Sequence, residues 1–177
     1  MTTETDMSIA TPMVMPSKKR RAHILIAGLG NLLLQDDGVG VHAINALKKD
    51  VPQGTCVVEV GTAVLDALHL FEWADIIIAV DAMRAGGAPG TVYQFGLEDV
   101  QKRSGDASLH ELNLVAAFRF LKEDHHPLIT IIGVEPEIID YGMELSSIVA
   151  DALPTVTHRI HELVAGYRAA ECSPEPE

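Results

Sequence analysis

Two adjacent carboxylates, Asp36 and Asp37, stand in the stretch "GLGNLLLQDDGVG", just after the apolar run "HILIA". Acids there serve either as helix-capping groups, since aspartate favours a first turn, or as part of a site that wants cations. A third acid, Asp81, closes the run "DIIIAVDA" and is the charged residue at its exit. Such a residue is either a cap for the next loop or an active-site acid. His110 lies in "SLHEL", where Ser108 and Glu111 have capping-box spacing and put the imidazole in a helix's first turn. The helix dipole there keeps the ring neutral, able to bind a metal or accept a proton. The alternative for His110 is a solvated helix histidine with no role in chemistry.

A competing chemistry uses the glycines. Gly28 and Gly30 give G-x-G after a strand, and Glu59 falls where a ribose-binding acid would sit. The third glycine position holds Leu33, and Asp36 and Asp37 would compete with a pyrophosphate for the helix start. NAD binding is therefore disfavoured. The remaining histidines form no metal-ligand pattern: His158 and His161 stand in "HRIHE", which is not H-E-x-x-H. There is no G-x-S-x-G nucleophile elbow and no P-loop.

The elements that must position these groups alternate along the chain. "HILIAG" reads as a buried strand, and Val41, Ile44 and Leu47 recur at helical spacing from about Asp37 to Lys49. "TCVVEV" is a second strand, and "TAVLDALHLFEW" a helix through Val64, Leu65, Leu68 and Phe71. "DIIIAVDA" shows no alternation, as expected of a central strand covered on both faces, whereas "GTVYQF" alternates and reads as peripheral. "ELNLVAAFRFLKE" is a helix, "PLITIIGVE" a buried strand, and a last helix spans about Ser147 to Arg168, with a kink or restart expected at Pro154.

This order predicts an α/β three-layer sandwich, an approximately five-stranded, mostly parallel sheet with helices on both faces. In such sheets ligands collect beyond the carboxyl ends of the strands, where Asp36, Asp37 and Asp81 fall. Residues 22–168 make a single domain between a flexible N-terminal tail, 1–21, and a flexible C-terminal tail, 169–177.

A net charge of −12 repels nucleic acid and anionic membrane alike. Cys56 and Cys172 form neither a metal pair nor a disulfide framework, as expected in a reducing cytoplasm. "KKRRAHILIAGLG" is broken too soon by glycine and Asn31 to be an export signal, and no run reaches the ~18 apolar residues that cross a bilayer. A cytoplasmic location is expected.

Six blocks, "ILIAGLGNLLLQDDGVG", "EVGTA", "IIIAVDA", "APGTVY", "SLHELNL" and "ITIIGVEPE", occur in the order seen in the nickel–iron hydrogenase maturation endopeptidases, which the chain resembles from about residue 23 to 165. The resemblance implies a five-stranded α/β sandwich and a protease that removes the C-terminal extension of the hydrogenase large-subunit precursor once nickel is inserted. It also implies a metal-holding and catalytic trio: Asp37 as second acid of D-[DE]-x-x-G, Asp81 from "VDA" and His110 from "HEL". Two carboxylates and an imidazole suit nickel, here brought by the precursor, and other divalent cations in vitro. The implied partner is the nickel-loaded precursor, and the implied state a monomer. Many relatives carry D-G-G-T where this chain has "EVGT", in a loop implied to help choose the substrate.

Alternatives stay open at this point. Asp37 and Asp81 could share a proton as in an aspartic protease, with nickel used only for recognition. The chain could also be a metallochaperone or binding module that docks the nickel-loaded subunit without cutting it.

Overall fold

The computed structural model describes residues 20–96, 99 and 126–172. Five strands form one sheet: β1 (Ile24–Leu29), β2 (Thr55–Gly61), β3 (Ile76–Ala82), β4 (Val92–Gly96) and β5 (Leu128–Val134). Their order is β2-β1-β3-β5-β4. The β1–β2, β1–β3 and β3–β5 pairs are parallel, and β4 joins β5 antiparallel. The described helices are α1 (Val39–Leu47), α2 (Leu68–Trp73) and α3 (Ser147–Cys172). The α/β sandwich expected from the strand–helix alternation is present, with β3 at the centre and β4 at an edge.

Burial on both faces explains why β1 and β3 lack a polar-apolar alternation. Ile24, Ile26, Ile76, Ile78 and Val80 point to the core shared with α1 and α3. The intervening Leu25, Ala27, Ile77 and Ala79 point to the opposite core, closed by Val64, Ala67 and Phe71. Every residue of both strands is buried. At about 25 cal/mol per Å² of apolar area, this two-sided burial is the main force holding the sheet in its layers.

The helix α1 lies unusually close to the sheet because glycines face each other across the contact. A Cβ on Gly28 would stand 2.3 Å from the Gly40 carbonyl oxygen, and one on Gly40 would stand 2.1 Å from that of Val80. Gly28 and Gly40 therefore serve packing rather than a phosphate.

Two helices differ from expectation. The stretch before α2 is wound as single turns, Asp66 N–H to Ala63, Ala67 to Val64 and Leu68 to Leu65, so the helix proper starts at Leu68. Val64 is buried there but Leu65 is exposed, because these tighter turns rotate it off the helical stripe. The last helix runs through Pro154 without a break. It also continues past Arg168 to Cys172, into what the sequence marks as tail, because Glu171 accepts the Ala22 N–H (2.7 Å) and pairs with Arg168. The expected helix "ELNLVAAFRFLKE" lies outside the described residues. Among the described residues no helix is long and apolar enough to cross a membrane.

Candidate active site

The parallel strands β1, β3 and β5 end at one edge of the sheet, and the loops leaving them build the site. After β1 the chain turns at Gly30, whose φ of +104° suits glycine. The Asn31 side chain accepts the Leu33 N–H (3.0 Å), and a short 3-10 helix follows over Gln35–Gly38. Asp36 and Asp37 sit in it, both buried, and neither caps α1.

Asp37 turns back towards the strand end, its Oδ2 accepting the Asn31 N–H at 2.9 Å. Asp81, only 2% exposed, takes the Ala82 N–H on Oδ1 at 2.8 Å. Gly30 lies between the two. A Cβ placed on it would meet the Asp37 carbonyl oxygen at 1.8 Å and Asp81 Oδ1 at 3.4 Å. Of the three expected site residues, the main chain of Asp37 and the side chain of Asp81 thus both approach Gly30. His110 lies outside the described residues.

Asp36 points the other way. Its Oδ2 accepts the N–H groups of Glu137 (2.9 Å) and Ile138 (2.8 Å) and the Ser146 hydroxyl (2.9 Å). Its Oδ1 accepts the Ser146 N–H (2.7 Å). Ser146 in turn accepts the Val149 N–H on its hydroxyl oxygen, so the serine that caps α3 is fixed by the acid (3.4 Å). A fully buried carboxylate is costly unless its oxygens are filled, and here donors fill both. Asp36 is a clamp between the β1 and β5 loops.

Glu135, just after β5, does the same for the loop after β3. It is buried, and its Oε2 accepts the Ala85 N–H (2.8 Å) and the Tyr93 hydroxyl (3.0 Å). Burial and the bond to negatively charged Glu135 hold the Tyr93 phenol above its ordinary value. Sequence reasoning passed over Glu135, although the signal was present: it ends the buried run "ITIIGVE" as Asp81 ends "IIIAVD".

Beside Gly30 a cleft of about 310 Å³ opens, lined by Asn31, Val41, Glu59, Gly61 and Thr62 among others. Glu59 is ion-paired with Lys48 from the end of α1. That pairing occupies the acid a ribose would need, and Gly30 N–H is bonded to Gly61 O (3.2 Å), so the turn presents no free amide cradle there. The remaining described histidines are dispersed: His42 reaches the Met143 carbonyl, His158 pairs with Glu162 and His161 with Asp50. Among the described residues no three His, Cys, Asp or Glu side chains cluster to hold a metal.

Comparison with known proteins is in keeping with this architecture. A family model described as hydrogenase maturation protease matches residues 41–163. The hydrogenase expression/formation protein HupD of Rhizobium leguminosarum bv. viciae is 31% identical over 157 residues, 84% of this chain and 75% of the relative. HupD of Thiocapsa roseopersicina is 31% identical over 69% of this chain and 58% of its own length. Among solved structures, the hydrogenase maturating endopeptidase HybD from Escherichia coli superposes with a TM-score of 0.73 at 27% identity, covering 84% of this chain and 93% of that one. The [NiFe] hydrogenase maturation protease HybD from Thermococcus kodakarensis gives 0.70 at 28% identity, covering 80% and 98%. The α/β sandwich is the fold of these endopeptidases. The chain belongs to the hydrogenase maturation protease family.

Proposed function

We propose that this protein removes the C-terminal extension of a nickel–iron hydrogenase large-subunit precursor after nickel insertion, acting as a monomer in the cytoplasm. The observation that carries the proposal is the pair of buried acids, Asp37 and Asp81, at the strand ends on either side of Gly30, which also lines a cleft of about 310 Å³. Buried carboxylates at a shared edge suit a divalent cation, and the precursor's nickel, as part of the substrate, would be met by Asp37, Asp81 and His110. Held there, nickel would draw electron density from the scissile carbonyl. The protein's own contribution is positional. Asn31 N–H fixes the Asp37 carboxylate, Ala82 N–H fixes that of Asp81, and the missing side chain at Gly30 lets the Asp37 main chain pack against the end of β1. Water adds to the peptide carbonyl, the C–N bond breaks, and the new amine leaves with a proton supplied by a side chain of the site.

The test is His110→Ala, assayed by processing of nickel-loaded precursor. Loss of cleavage supports the trio, and undiminished cleavage removes His110 from it. A second reading is favoured by the burial of both acids at the same edge of the sheet: Asp37 and Asp81 share one proton and activate water directly, with nickel serving recognition. A pH–rate profile recorded with a chelator separates the two. A bell-shaped profile that survives chelation supports the carboxylate pair, and lost activity supports participation of the metal.

A further inference from the structure

The loop between β5 and α3, "EPEIIDYGMELS" over residues 135–146, has no role in the chemistry above, yet it is fixed at many points. Asp36 holds both its ends, through Glu137, Ile138 and Ser146. Main-chain bonds stitch its middle to the Asp37 turn: Gly142 N–H to Leu33 O (3.0 Å), Gln35 N–H to Gly142 O (2.8 Å) and Asp36 N–H to Ile138 O (3.2 Å). His42 reaches the Met143 carbonyl from α1.

A loop so anchored has little reason to expose large apolar side chains, but this one does. Tyr141 is 88% exposed and Met143 62%, and the adjoining Leu33 is 59% exposed. Ile138 and Ile139 are exposed as well. The patch is rimmed by the exposed acids Glu137, Asp140 and Glu144, and the loop carries no lysine, arginine or histidine. Tyrosine and methionine are enriched at the centres of protein interfaces, and a backbone fixed in advance reduces the ordering cost of binding.

We propose that residues 136–144, with Leu33, form a docking surface for the folded body of the precursor, against a patch apolar at its centre and ringed by lysine or arginine. The proposal rests on the function proposed above for the identity of the partner. Charge complementarity selects this occupant: an acidic rim repels a second copy of a chain of net charge −12 and favours a basic one. The turn that carries Asp37 is hydrogen-bonded to the same loop, so a precursor seated here is delivered in a fixed register to the acids. Docking would thereby read the folded precursor, while the cleft reads its C-terminal segment.

The experiment measures affinity for nickel-loaded precursor by biolayer interferometry in an Asp81→Asn background, which keeps the precursor uncut. The double variant Tyr141→Ser/Met143→Ser is expected to weaken binding at least about tenfold with an unchanged Tm. Leu65→Ser, equally exposed but before α2, is expected to leave it unchanged. Glu137→Gln/Asp140→Gln/Glu144→Gln is expected to slow association and flatten its salt dependence. Unchanged affinity of the Tyr141/Met143 variant, or an equal loss with Leu65→Ser, overturns the docking surface. So does a wild-type dimer that the double variant dissociates with precursor affinity intact, which would make the patch a self-association face. Failure of the parent protein to bind any precursor instead overturns the proposed function itself.

Discussion

The two edges of the sheet treat their acids in opposite ways. At the amino edge Asp75 and Glu171 are held by arginines. Arg20 reaches both Asp75 oxygens (2.7 and 2.9 Å) while His23 N–H adds a third bond (2.7 Å), and the His23 ring stacks on Trp73 with centroids 4.4 Å apart. Arg168 ties Glu171 to the carbonyls of Ala22 and Gly54. At the carboxyl edge Asp36 and Glu135 are held by backbone N–H groups and hydroxyls. Arginine pairing spends a carboxylate's charge on a partly exposed tie between segments. Amide pairing keeps the negative charge and uses it to shape loops. The first kind of edge fastens the chain, and the second builds a site.

The comparison is broken most directly by removing charge at the carboxyl edge. Asp37→Asn or Asp81→Asn should lower precursor processing at least about a hundredfold, the scale of a lost acid–base or metal-holding group, with secondary structure by circular dichroism unchanged. Gly30→Ala comes next. Its Cβ has no room beside the Asp37 carbonyl and its φ is unfavourable for alanine, so denaturant titration should show a loss of roughly 2–4 kcal/mol together with lost processing. Asp36→Asn puts an amide donor where other donors converge. It should cost about 1–3 kcal/mol and expose the 135–146 loop to faster hydrogen exchange.

The amino edge should answer more gently. Arg20→Ala is expected to cost less than about 1 kcal/mol, because Arg20 is largely exposed and its pair is screened by salt. Its pH behaviour has a definite sign. Burial raises the Asp75 carboxyl, but the His23 N–H and the Arg20 guanidinium outweigh it and leave it below its ordinary 3.8. Burial likewise raises Glu171, and Ala22 N–H, Arg168 and Arg21 bring it below 4.5. Both groups are more acidic folded than unfolded. Their stabilisation is complete above these ordinary values and is lost as pH falls through the depressed folded ones. Urea midpoints between pH 6 and pH 3 (roughly the range bracketing these carboxyls) should fall less steeply in Arg20→Ala than in the parent protein.

What the sequence makes legible follows from where the forces are local. The apolar run of β3, which lacks alternation, gives a strand buried on both faces, and the alternation of "GTVYQF" gives an edge strand. Asp36, Asp37 and Asp81 could be singled out because each stands at or beyond the carboxyl end of a strand in a parallel sheet, and the family resemblance picks Asp37 from the pair. The start of α2 was not legible, since Val64 and Leu65 fit a helical stripe that the tighter turns do not follow. The split between neighbours was equally hidden. Nothing in "DD" says that Asp36 faces Ser146 and Asp37 faces Asn31, because those partners come from loops brought together only by folding. Gly28 reads as the first glycine of a G-x-G phosphate turn, whereas its contact with Gly40 records how closely α1 must approach the sheet.

The central claim is that the acids at the carboxyl edge act on a precursor that already carries nickel. Intact-mass spectrometry of nickel-loaded and nickel-free precursor after incubation with the protein tests it directly. The account predicts that the loaded form alone loses its C-terminal extension. Equal truncation of both forms, or of neither, would contradict it.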